Sequence, residues 1–131
     1  MMLTKRSIIM LFATALALWG SASAHAVVEI QDIEGSPLPE GLSDEQIQKV
    51  MVSAGMTRGW VVKAVGPGHM EGTLLIRTHM AKVDIVYDAA GYSIRYKDSE
   101  NLAYKNGKIH RNYNKWVQNL DMDIQRTAVL L

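Results

Sequence analysis

KVDIVYDAAGYSIRYK, residues 82–97, is the stretch that decides the fold. Val83, Ile85 and Tyr87 alternate with Asp84 and Asp88, and after Ala90-Gly91 the residues Tyr92, Ile94 and Tyr96 alternate with Ser93, Arg95 and Lys97. A period of two is the signature of a strand with one face covered and one face wet. Ala90-Gly91 makes a tight turn, so the two runs form an antiparallel hairpin.

Working outward, Gly59-Trp-Val-Val-Lys-Ala-Val65 and Gly72-Thr-Leu-Leu-Ile-Arg-Thr78 read as two further strands, separated by Gly66-Pro67-Gly68. The links are short, so the four runs make a meander. Helices bracket them. Ser43-Asp44-Glu45-Gln46 is a capping box: the Ser43 hydroxyl accepts the Gln46 N–H, and the Gln46 side chain reaches back. Ile47, Val50, Met51 and Ala54 follow at helical spacing and Gly55 stops the run, which predicts a helix over 43–55. Ile109, Tyr113, Trp116, Val117, Leu120 and Ile124 form a second apolar stripe, with Asn112, Lys115, Asn119 and Asp123 on the other side. The expected fold is α+β: an antiparallel sheet of four to five strands with two helices packed on one face. Val27–Ile33 is the optional fifth strand, Gly35–Gly41 reads as a loop on its prolines and glycines, and 98–108 reads as a long polar loop.

The first 26 residues differ from the rest. Lys5 and Arg6 precede an apolar run from Ser7 to Trp19, and Ala22-Ser23-Ala24 and Ala24-His25-Ala26 both fit the small-x-small rule for cleavage. This is the pattern of a secretory leader, too short to span a bilayer. The expected organisation is a leader at 1–26, an extended segment at 27–41 and one domain at 42–131, exported to the periplasm. No transmembrane segment is expected in the mature chain.

Composition then excludes several function classes. The chain has no cysteine, which removes thiol nucleophiles, zinc–thiolate sites and iron–sulfur clusters, and also the residue a lipid anchor needs. Without Lys5 and Arg6 the 14 basic residues fall to 12, against 13 acidic, so a nucleic-acid partner is not expected. No serine lies in a Gly-x-Ser-x-Gly context, and Gly66-Pro-Gly68 lacks the lysine and helix of a phosphate loop. No cofactor is expected.

Three functional readings follow. Charge is unevenly spread: Glu29, Asp32, Glu34, Glu40, Asp44 and Glu45 have no base among them, whereas Arg95, Lys97, Lys105, Lys108, Arg111 and Lys115 face only Asp98 and Glu100. Arg77 and His79, two residues apart on one strand side, together with Lys105, His110 and Arg111, form the candidate site for an anionic envelope ligand or a protein partner. The alternative is copper, because His69-Met70 and His79-Met80 pair imidazole with soft thioether. The third is a hydrolase of unspecified type. For Tyr113 and Trp116, within the stripe, a core role is expected.

The segment from about Gly41 to Ile124 also resembles a family of small exported proteobacterial proteins, many of them called lipoproteins or hypothetical proteins. The likeness is carried by Arg58-Gly-Trp60, Arg77-Thr-His79, Val83-Asp-Ile85 with Tyr87, Tyr92-Ser-Ile94 with Tyr96, Ser99-Glu-Asn-Leu102 with Tyr104, and above all Ile109-His-Arg-Asn-Tyr-Asn-Lys-Trp116. The resemblance implies an exported α+β domain and no particular activity. Lipoprotein-type relatives carry an anchoring cysteine, from which this chain departs.

Overall fold

The computed structural model describes residues 26–131; the predicted leader lies outside the described residues but for Ala26. Seven strands and two helices follow in the order β1 (Val27–Glu29), β2 (Ile33–Pro37), α1 (Asp44–Met56), β3 (Trp60–Gly66), β4 (His69–Ile76), β5 (His79–Tyr87), β6 (Gly91–Glu100), β7 (Lys108–His110) and α2 (Asn112–Ala128). The fold is α+β. An antiparallel five-stranded sheet has the order β2-β6-β5-β4-β3, and β1 and β7 form a separate two-stranded ribbon. No helix among the described residues is long and apolar enough to cross a membrane.

The hairpin that fixed the expectation is present, with Ile85 opposite Ile94 and Tyr87 opposite Tyr92. The inward residues of the sheet, Trp60, Val62, Met70, Leu74, Ala81, Val83, Ile85, Tyr87, Tyr92 and Ile94, pack with Ile47, Val50 and Met51 of α1 and Val117, Leu120 and Ile124 of α2 in one core. The Ser43 capping box forms in both directions, at 3.1 and 2.9 Å.

Among the described residues the other sheet face carries no helix. It is an ionic lattice. Glu71 receives Lys82 at 3.7 Å and Lys97 at 3.1 Å, and Asp84 receives Lys97 at 3.4 Å and His69 Nε2 at 2.7 Å. Arg95 grips Glu34 with two bonds, at 2.9 and 3.0 Å. The hydrogen bond from Lys97 holds the Glu71 carboxyl below the usual range. Lys82, Arg95, Lys97 and His69 on this face are thus each held by a carboxylate, while Lys63, opposite Glu71 in the register, has none within 4.0 Å.

Several local expectations are corrected. Residues 35–37 of the expected loop belong to β2, which pairs with β6 through Ile33–Ile94, Ser36–Tyr92 and Pro37–Gly91 with an irregularity between. An edge strand tolerates Pro37 because its outer side needs no ladder donor, and Gly35, at φ 64°, supplies the bulge. The first run is split: Val27–Glu29 pairs with β7 rather than joining the sheet, and its last residue, Ile33, opens β2. Residues 98–108 are not one loop: β6 continues to Glu100, and Asn106-Gly107, at φ 51° and 76°, turn the chain back between Lys105 and Lys108. The second helix starts at Asn112, so Ile109 reaches the core from β7. Asp123 does not face water. It is 4% exposed and accepts the Arg58 Nε–H at 2.8 Å.

Two core tyrosines give a pH prediction. Burial first, and then the bond to Asp121, pushes the Tyr92 phenol well above its ordinary 10.0; burial does the same for Tyr113. Raised folded values mean that the fold prefers the neutral phenols. Their contribution to stability is full below about pH 10 and falls as pH climbs from there toward the folded values. Urea midpoints measured between about pH 8 and pH 11.5 should be flat at first and then drop, and Tyr92→Phe should flatten part of the drop. A midpoint unchanged up to pH 11.5 would contradict the burial of these phenols.

Candidate functional site

Of the residues singled out from sequence, Arg77, His79, His110 and Arg111 lie at the end of the molecule where the β4–β5 turn, the end of β6, the β1–β7 ribbon and the start of α2 meet, whereas His69 and Met70 lie at the opposite end of the β4–β5 hairpin. Arg77 sits in the β4–β5 turn at φ 54°, and His79 opens β5 opposite Ile76. The two therefore do not share one side of a strand, as their spacing suggested. The strand ends at Ile76, so the period of two stops before it reaches Arg77.

External bonds hold this turn. The Asn101 side-chain amide donates to Thr78 Oγ1 at 2.7 Å, and the His79 Nδ1–H donates to the Asn101 carbonyl at 2.7 Å. The next carbonyl, Leu102, accepts the His110 N–H at 2.9 Å. The His79 ring also lies 6.5 Å from the Trp116 indole. His79, His110 and Arg111 are thus joined through Asn101–Leu102 and the first turn of α2. Lys105 stands apart, at the tip of the ribbon beyond Lys108.

Arg111 is the N-cap of α2 and makes no side-chain cap bond; instead the Asn112 N–H donates to His110 Nδ1 at 3.2 Å. His110 is thus engaged as a local cap, with its Nδ1 the acceptor. The Arg111 N–H donates to the Ala26 carbonyl at 3.2 Å, which ties the start of the described chain to this end. Arg77, Asn101 and Ala103 all have φ between 54° and 56°, a region costly for residues with a Cβ.

The electrostatics separate this end from the sheet face. Arg77, Lys105, Lys108, Arg111 and Lys115 are exposed, and among the described residues none has a carboxylate within 4.0 Å. The acids brought by the same elements are Glu29, across the ribbon from Lys108, and Glu100, opposite Met80. Arginine and lysine left unpaired at a surface retain their donors for phosphate or carboxylate. Sequence grouping alone missed this contrast, because Arg95 and Lys97 belong to the same basic run and are fully paired.

The aromatic residues nearby are structural. Tyr113 is buried, Tyr96 meets it edge-on at 5.7 Å, and Tyr104 stacks on Tyr96 at 4.4 Å and 12°. No enclosed pocket belongs to this end among those found in the described residues. A shallow groove of about 420 Å³ runs along α1, lined by Glu45, Gln48, Lys49, Val52, Ser53 and Met56.

The copper arrangement is not assembled. His69 and Met70 are neighbours in β4 and so point to opposite faces: His69 to Asp84 on the open face, Met70 into the core. His79 and Met80 lie at the other end of the β4–β5 hairpin, roughly 23 Å away at ~3.3 Å per residue. No cluster of three His, Asp or Glu suited to a metal occurs among the described residues. For a hydrolase, His69–Asp84 is the sole histidine–carboxylate pair among the described residues, and no serine or threonine hydroxyl is bonded to a histidine there.

Comparison of the chain with protein-family models, curated proteins and solved structures finds no match.

Proposed function

We propose that this protein is a soluble binding module of the cell envelope, exported by its leader, that engages an anionic ligand or partner through the end bearing Arg77, His79, Lys105, His110 and Arg111. The leader pattern and the likeness to exported proteins support the compartment. One observation carries the site: Lys82, Arg95 and Lys97 on the sheet face each have a carboxylate within 4.0 Å and only Lys63 there does not, whereas at this end Arg77, Lys105, Lys108, Arg111 and Lys115 all lack one among the described residues. A folded domain that pairs Lys82, Arg95 and Lys97 while leaving Arg77, Lys105, Lys108, Arg111 and Lys115 unpaired is built to meet negative charge from outside.

The test is co-sedimentation of the processed protein with a washed envelope fraction. Arg77→Ala with Arg111→Ala should weaken binding about tenfold, the worth of two partly exposed charge contacts. Lys97→Ala, which removes a cation already held by Glu71 and Asp84, should leave binding unchanged. Equal binding by the double variant, with the fold intact by circular dichroism, would show that the surface is wrong.

A further inference from the structure

α2 shows the solvent a face whose composition its sequence does not announce. Arg111, Lys115, Gln118, Met122, Arg126 and Val129 lie at offsets of 0, 4, 7, 11, 15 and 18 residues, which superpose on one side of a helix. All six are exposed, Met122 at 49% and Val129 at 69%. The row runs from N-cap to C-cap, about 27 Å at 1.5 Å per residue.

The acids of the helix are both drawn away from this row. Asp121 accepts Ser36 Oγ at 2.8 Å and the Tyr92 hydroxyl at 2.5 Å, and Asp123 accepts Arg58 Nε at 2.8 Å. What remains outward is three cations, none with a carboxylate within 4.0 Å among the described residues, and two projecting apolar side chains. At its N-terminal end the row runs into the unpaired cations of the ribbon.

From this row we infer that α2 lies flat on a bilayer surface of anionic phospholipid. The inference rests on the anion-binding reading above and names the ligand. A headgroup plane offers phosphates across the full length of the row, which a single small anion does not. Arg111 and Arg126 can each take a phosphate with two parallel bonds. Met122 and Val129, standing between and beyond the cations, enter the boundary between headgroups and acyl chains. The other face of α2 is fully occupied by the core, so attachment is peripheral and depends on charge.

Vesicle co-sedimentation of the processed protein tests this. Binding to phosphatidylglycerol–phosphatidylcholine vesicles should exceed binding to pure phosphatidylcholine at least tenfold and should fall as salt is raised. Each cation is worth about fivefold, so Arg111→Ala with Lys115→Ala should cost about 25-fold. Both side chains are exposed and make no side-chain bonds, so the fold is retained. Met122→Ser should cost a smaller factor. Equal binding to both vesicle types would overturn the inference, as would phosphatidylglycerol binding that ignores Arg111 and Lys115. Binding to the envelope fraction without binding to vesicles overturns the lipid assignment and leaves the proposed function standing, with an acidic protein or polymer as its ligand. Failure of both overturns both.

Discussion

Trp60→Ala should cost the fold about 3–5 kcal/mol, which for a domain of this size is a large share of its total stability. Trp60 is 1% exposed, the largest side chain in the core. Its surroundings are shaped around it. A Cβ built on Gly72 would stand 3.3 Å from the Trp60 ring and 3.2 Å from Val83, and one built on Gly55 would stand 3.3 Å from the Trp60 Cβ. β4 and the end of α1 thus reach the tryptophan as bare backbone, and nothing there can swing in to refill the space. Such a cavity stays open, which puts the cost toward the upper part of the range. Urea unfolding with an unchanged denaturant slope is the measurement. A loss below about 1 kcal/mol would mean that the layer between α1 and β4 repacks, contrary to this geometry.

What was legible in the sequence is what local chemistry determines. Ser43 and Gln46 specify their own helix start because both partners lie within four residues. Val83, Ile85, Tyr87, Tyr92 and Ile94 declare a one-sided sheet because alternation is a property of consecutive residues. The misreadings share a different cause. The β4–β5 turn contains no glycine, proline or asparagine; it is held from 23 residues away by Asn101 on Thr78, so the alternation appeared to run through Arg77. Asp123 falls with Asn112, Lys115 and Asn119 on the polar side of the stripe by spacing, and only Arg58, 65 residues earlier, shows that it faces inward. Asn106-Gly107 did carry a local signal, the dipeptide favoured in two-residue hairpin turns, but its flanking strands are too short to have a period.

The candidate site divides in the same way. Its residue types were visible, because a basic run is visible. Which of those cations are free was not, because Lys97 and Arg95 are neutralised by Glu71, Asp84 and Glu34 across strands. Charge counted along the chain and charge left unpaired in the fold are different quantities. Only the second bears on what the surface binds.

Gly91→Ala should destabilise the protein by about 2–3 kcal/mol, although alanine is the better strand former and a loop reading of 35–41 would make the change harmless. The added Cβ would overlap the Ser36 carbonyl oxygen and stand 3.2 Å from the Ser36 carbonyl carbon and 3.5 Å from Pro37 Cα. These are backbone atoms and cannot rotate away. Relief requires β2 to move off β6, and more than the Pro37–Gly91 pairing goes with it. Ser36 Oγ donates to Asp121 at 2.8 Å, and the Gln125 amide donates to the Pro37 carbonyl at 2.7 Å. Moving β2 therefore also loosens its hold on α2, and leaves Asp121, beside the buried Tyr92, with fewer donors. Native-state hydrogen exchange distinguishes this from a general loss of stability. Protection should fall first in β2 and its partners on β6 while β4 and β5 stay protected. Uniform loss across the sheet would point to a cause other than this contact. Full stability with β2 still protected would show that the strand accommodates a methyl group where the geometry leaves none.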